Sequence, residues 1–199
     1  MDQKEIKRAY KKVRRLSGEA LSAYLAEILP RLSQEEAFPF LQYLKSDILS
    51  SIVYEATGAQ LDLTKDSVET LQGFLDYVRG YLDVDAGKLL PSAPAVLQEY
   101  YHHFYEEALK QNALAGREQV FDIVVYRFAS LIGAYLGELI IANTPRSVWR
   151  IFNDEHLFHG VYNGYLKLNV DHKAYANLLH GDEETITKLY QIGVTVLSG

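Results

Sequence analysis

The stretch Gln98-Glu99-Tyr100-Tyr101-His102-His103-Phe104-Tyr105-Glu106-Glu107 places two adjacent histidines, three carboxylates and three tyrosines within ten residues. On a helix, Glu99 and His102 have the Glu-x-x-His spacing of di-iron carboxylate bundles, which need a second such pair and two further glutamates. The chain has no second Glu-x-x-His. His102/Glu106 and His103/Glu107 are also i,i+4 pairs, neighbours on a helix surface that stabilise it by a few tenths of a kcal/mol. Adjacent histidines point about 100° apart on a helix and cannot easily share one ion. A zinc site here would therefore need a third ligand from elsewhere, with His156, His159, His172 and His180 as the available histidines. The plainer expectation is an amphipathic helix with Tyr101, Phe104, Tyr105 and Leu109 toward the core and His102 and Glu106 toward water.

Other constellations are thinner. His156-Leu157-Phe158-His159 falls between two expected strands, where a hairpin loop with Asp154 or Glu155 would supply an i,i+3 ligand pair. Asp83-Val84-Asp85-Ala86-Gly87 starts like a calcium loop, but Lys88 and Pro94 stand where glycine and a bidentate glutamate are required. It reads as a turn. No phosphate-binding glycine loop, G-x-S-x-G or H-E-x-x-H occurs. There is no cysteine, which excludes disulfides, thiolate metal sites and cysteine nucleophiles. Glu138, followed by Leu139, Ile140 and Ile141, is a carboxylate in an apolar run and needs a partner if buried. Arg146 and Arg150 are the expected partners, either as a structural clamp or with Glu138 facing a ligand.

The elements that must position these groups are mostly helices. Ile6, Tyr10 and Val13 form the thin apolar stripe of a basic amphipathic helix over residues 1–15. A helical body is expected over 17–143. Ser17 starts a helix that Pro30 ends, Ser33 and Glu36 form a capping box, and Gly58 suits a C-terminal cap. Pro39 is expected to mark a first turn. Asp66 and Glu69 form a second capping pair ahead of a stripe running from Val68 to Leu82, and Pro94 opens the helix of 94–112. The longest apolar helix covers about 118–143, with Ala129, Gly133 and Gly137 every fourth residue on one face, allowing close approach of a neighbour. Asp122, Arg127 and Glu138 within it make a membrane span expensive. Residues 147–152 and 165–170 alternate as strands do, with Asn163-Gly164 as a turn signal. A short helix from Asp171 to Leu179, then a last helix capped by residues 182–185 and ending near Gly193, complete the region 144–199. The expected architecture is a single domain, mainly α (α+β): a helical bundle around a central apolar helix, with a small antiparallel hairpin and short terminal helices.

The run Gly133-Ala134-Tyr135-Leu136-Gly137-Glu138, then Trp149, a hairpin and the segment from Tyr165 to Tyr190, resembles bacterial domain-of-unknown-function proteins. These have a glycine-spaced helix ending in Gly-Glu, a tryptophan-initiated strand and a short following helix. The resemblance spans about Ala129 to Tyr190. It implies an α-rich bacterial fold and carries no catalytic residue. Some small acidic bacterial proteins of this kind stand beside toxins or defence systems.

Charge is divided unevenly. Residues 1–15 hold seven of the 20 basic residues against two acidic ones, leaving 13 basic and 24 acidic residues in the rest. A basic arm on an acidic body can meet nucleic acid, an anionic membrane or an acidic partner, or fold back on its own body. Fifteen tyrosines in 199 residues suit an interface, because tyrosine offers rigid amphipathic contact area. The N-terminus lacks the apolar stretch of a signal peptide, so a cytoplasmic location is the expectation. The leading expectation is a non-catalytic module, of the immunity or regulatory kind, that docks a basic protein through an acidic, tyrosine-rich surface and needs no cofactor. Tyr135, Glu138, Trp149 and Arg150 are its candidate binding residues. The alternatives are a metal-dependent enzyme on the 94–112 helix and a nucleic-acid or membrane-surface binder acting through residues 1–15.

Overall fold

The computed structural model describes residues 3–13, 15–16, 18–112, 116–145, 147–153, 157–162, 167–181 and 185–197. The expected cap at Ser17, Arg146, Asp154 to His156, the turn at Asn163-Gly164 and residues 182–184 lie outside them, as does the side chain of His159. Among the described residues the chain is mainly α-helical, with a small antiparallel sheet of short strands.

The helices are α1 (Gln3–Val13), α2 (Gly18–Ile28), α3 (Gln34–Thr57), α4 (Ser67–Arg79), α5 (Ala95–Gln111), α6 (Arg117–Asn143), α7 (Val170–His180) and α8 (Ile186–Leu197). Several ends follow from local chemistry. Ser33 caps α3 with a complete capping box: its hydroxyl accepts from the Glu36 amide, and Glu36 accepts from the Ser33 amide. Gly58 closes α3 in the left-handed conformation at φ 73°. Pro39 lies inside α3 rather than at its first turn. Asp66 precedes α4 but makes no side-chain cap. Instead Asp62 accepts from the Thr64 amide and from the hydroxyls of Thr64 and Ser67. These bonds hold its carboxyl down at about 2. The intervening Leu63 has φ 60°, unfavourable for a branched side chain. It is held there by α6: its amide donates to the Tyr135 hydroxyl, and its carbonyl accepts from Asn143.

Two sheets form. Leu82–Asp83 (β1) and Lys88–Leu89 (β2) pair as a short hairpin over the stretch expected to be only a turn, so Leu82 leaves the helical stripe. The second sheet is a three-stranded meander, β3 (Val148–Asn153), β4 (Leu157–Tyr162) and β5 (Lys167–Leu168), in the order β3-β4-β5. The expected small antiparallel hairpin is present with one strand more: the segment read as a histidine-bearing loop is instead the central strand, and the backbone of His159 pairs with Ile151. The last helix also runs past Gly193 to Leu197.

Most of the core surrounds α6, whose Val124, Val125, Ala129, Ile132, Leu136, Leu139 and Ile140 are fully buried. Helices α3, α5 and α7 pack along it. Its small face works as its spacing suggests. A Cβ at Gly133 would collide with the Asp171 backbone of α7, and one at Gly137 with the Trp149 ring of β3. Glu118–Asn143 is long and apolar enough to cross a membrane, yet 83% of its most apolar window is buried inside the protein. A second, smaller cluster joins Ala9 and Val13 of α1 with Leu21, Leu25 and Ile28 of α2 and Phe40 of α3. The basic helix is therefore folded onto the body.

Candidate functional site

The QEYYHHFYEE helix, α5, buries Leu97 and Ala108 completely and rests Tyr101 and Phe104 against the core. These four recur at intervals of four, three and four residues, the spacing of one helix face. Leu109, expected on that face, is 42% exposed. His102 lies 3.1 Å from Glu106 and His103 3.5 Å from Glu107, all four at the surface. Each histidine meets a carboxylate one turn on, and among the described residues no group of three potential ligands converges. Glu99, His102, His103 and Glu106 share only a shallow surface depression. His156 and the His159 side chain lie outside the described residues.

The four candidate binding residues separate into different roles. Tyr135 is buried, with its hydroxyl committed to Leu63. Glu138 is fully buried and accepts from the Trp149 indole at 2.8 Å and from the Tyr10 hydroxyl at 2.5 Å. An indole and a phenol are thus among the donors that meet it, and the latter brings α1 to the body. Arg150 points elsewhere: it is exposed and stacks over Tyr162, 5.0 Å from the ring centre.

The most built-up polar arrangement lies in a cleft between α3, α5, α6 and α7, with a volume of about 750 Å³. Along α6, Asp122, Tyr126 and Ser130 follow one another at i, i+4 and i+8, so the cleft tracks one helix face for about 12 Å. At one end the Lys45 ammonium donates to Ser130 Oγ at 2.7 Å, and Ser130 donates to Asp171 Oδ2 at 3.3 Å. Asp171 is 4% exposed, and its Oδ1 has no hydrogen-bond partner among the described residues. That oxygen lies against Gly133, the only residue type whose side chain leaves it room. Burial pushes the Asp171 carboxyl up to about 6, against the opposing pull of Lys45 and of the Ser130 hydrogen bond. Burial likewise lowers Lys45, with Asp171 opposing and Arg127 adding to the shift.

The other end is aromatic. Tyr126 is 45% exposed and meets Tyr175 edge to face, with ring centres 5.7 Å apart. Burial raises the Tyr175 hydroxyl, and Asp122 raises it further through its charge and a hydrogen bond. Arg127 spans to α5, 3.1 Å from Glu107 and 3.0 Å from Gln111. Lys45 thus faces Asp171 across Ser130, while Arg127 pairs with Glu107. The cleft can bind: Ser130 sits mid-helix, where neighbouring amides are spent on the helix and supply no pair of donors for an oxyanion.

Local sequence hides this site. Lys45, Ser130 and Asp171 are 85 and 41 residues apart in sequence. The one trace is a polar set at 122, 126 and 130 on an otherwise apolar helix. No family model matches the chain, and neither does any curated protein or solved structure.

Proposed function

We propose that this chain is a non-catalytic protein-binding module whose partner docks over the α6/α7 cleft. The observation that carries this reading is the aromatic mouth: Tyr126, largely apolar yet 45% exposed, braced by Tyr175 and flanked by Asp122. A ring face beside a carboxylate suits a lysine or arginine side chain, through cation–π attraction and ion pairing together. An acidic body around it would steer a basic partner toward the cleft. Regulatory and immunity proteins work by such docking, and a basic protein is the partner this surface fits.

The test is affinity purification of the tagged chain from its native host at low salt, beside the variants Tyr126→Ala and Asp122→Asn. A stoichiometric basic protein should be recovered with the unaltered chain, and each variant should weaken its binding about tenfold, the effect of losing roughly 1.4 kcal/mol. Tyr54→Ala, which removes a 55% exposed tyrosine on α3, should leave recovery unchanged. Equal recovery with all three variants, or no stoichiometric partner, would refute the proposal.

A further inference from the structure

A second groove, of about 510 Å³, separates α1 from β3. It follows the seam between the two hydrophobic clusters, with Phe40 of the smaller on one side and Trp149 of the larger on the other. Ile6, Pro39, Ile141, Val148 and Trp149 supply apolar walls. The polar tips nearby are already engaged. Tyr10 and Trp149 both donate to Glu138 beneath the groove, and Ser147 is buried and accepts from Thr144 at 2.7 Å. What the groove offers an occupant is therefore hydrocarbon and ring surface. Val148 is 49% exposed along it. The rim carries the opposite character: Arg8 and Lys11, both exposed, stand on the most basic segment of the chain.

We propose that this groove binds a single-chain amphipathic anion, an alkyl carboxylate whose tail lies between α1 and β3 and whose head group meets Arg8 and Lys11. The size falls within the roughly 300–1,000 Å³ of small-molecule sites, which are mostly apolar with a few placed polar groups. Charge complementarity selects the anion. A neutral alcohol would fill the same walls and leave the two cations unused, and an alkylammonium would be repelled by them. The tail would lie along the seam of two clusters that Tyr10 and Trp149 already join through Glu138, and its binding is driven by removing the remaining apolar surface from water.

Trp149 is the only tryptophan in the chain and lines the groove, so its emission reports occupancy directly. Octanoate, decanoate and dodecanoate, each below its micellar concentration, should shift that emission saturably. Affinity should rise about three- to fourfold per methylene while the tail still finds wall to cover. Dodecanol should bind about tenfold more weakly than dodecanoate, and dodecylammonium more weakly again. Arg8→Glu combined with Lys11→Glu should abolish the preference for the carboxylate while leaving dodecanol binding intact, which separates loss of the head-group site from loss of the fold. The proposal is overturned by an unsaturable or absent response, by equal affinity for dodecylammonium, or by a carboxylate preference that survives the double variant. Vesicles of anionic phospholipid provide the remaining arm. A response to them without one to free dodecanoate would assign the basic face to a membrane surface instead.

Discussion

Asp171 is a residue whose charge the fold must accommodate at some cost. Its folded-state value of about 6 lies above the ordinary 3.8, so between those values the folded protein holds a proton that the unfolded chain has released. Stability from this group therefore falls as pH rises from about 4 through 6 and stays lower beyond. Asp171→Asn cannot titrate. Its stability relative to the unaltered chain should improve between pH 4 and pH 7 by on the order of 2 to 3 kcal/mol, readable from urea denaturation at the two pH values. A relative stability that stays flat, or falls, would mean that Lys45 and Ser130 fully compensate the buried carboxylate. The same residue shows the limit of reading chemistry from spacing. The adjacent histidines of α5 look reactive in sequence and are solvated, whereas Asp171, a plausible helix start, lies at the buried end of the cleft.

Among the elements, the glycines of α6 separate two effects that sequence leaves mixed. Replacing glycine by alanine in a helix interior gains about 1 kcal/mol in propensity. At Gly73 of α4 nothing lies within 4 Å of an added Cβ, so Gly73→Ala should raise the melting temperature by a few degrees. At Gly133 and Gly137 the added methyl meets the Asp171 backbone and the Trp149 ring. Both substitutions should lower stability by about 1 to 3 kcal/mol despite the better propensity, and thermal melts of the three variants give the comparison directly. The helices are largely legible because their signals are local: a serine–glutamate cap, a glycine after the last turn, apolar residues every three or four positions. β4 is not, because Leu157-Phe158-His159-Gly160-Val161-Tyr162 lacks alternation and its histidines and glycine mimic a loop. Its pairing with β3 and β5 is what makes it a strand. The α6/α7 cleft was hidden for a related reason, since its polar residues meet only after four helices have packed.

For the molecule as a whole, the two hydrophobic clusters imply uneven stability. The larger wraps α6, while the smaller joins α1, α2 and the start of α3 with far fewer buried side chains. Segments with fewer buried contacts open at lower free energy. Hydrogen exchange should therefore find the amides of α1 and α2 exchanging well before those of α6. Tyr10→Phe, which removes the phenol that α1 extends to buried Glu138, should accelerate exchange in α1 selectively and cost about 1.5 to 3 kcal/mol of its local protection. Uniform exchange across α1 and α6 would mean that the two clusters unfold together.

The contacts of α6 also govern what kinds of change the chain can absorb. Gly133 against α7, Gly137 against β3, Glu138 against Tyr10 and Trp149, and Ile140 against Gly193 of α8 all depend on rotational phase along one rod. A single residue inserted between 129 and 133 would turn every later contact by about 100° and advance it about 1.5 Å. Even a four-residue insertion would leave a residual rotation of about 40°. Divergent versions of this protein should therefore vary the composition of α6 more freely than its length, and gaps should gather in the connections around it.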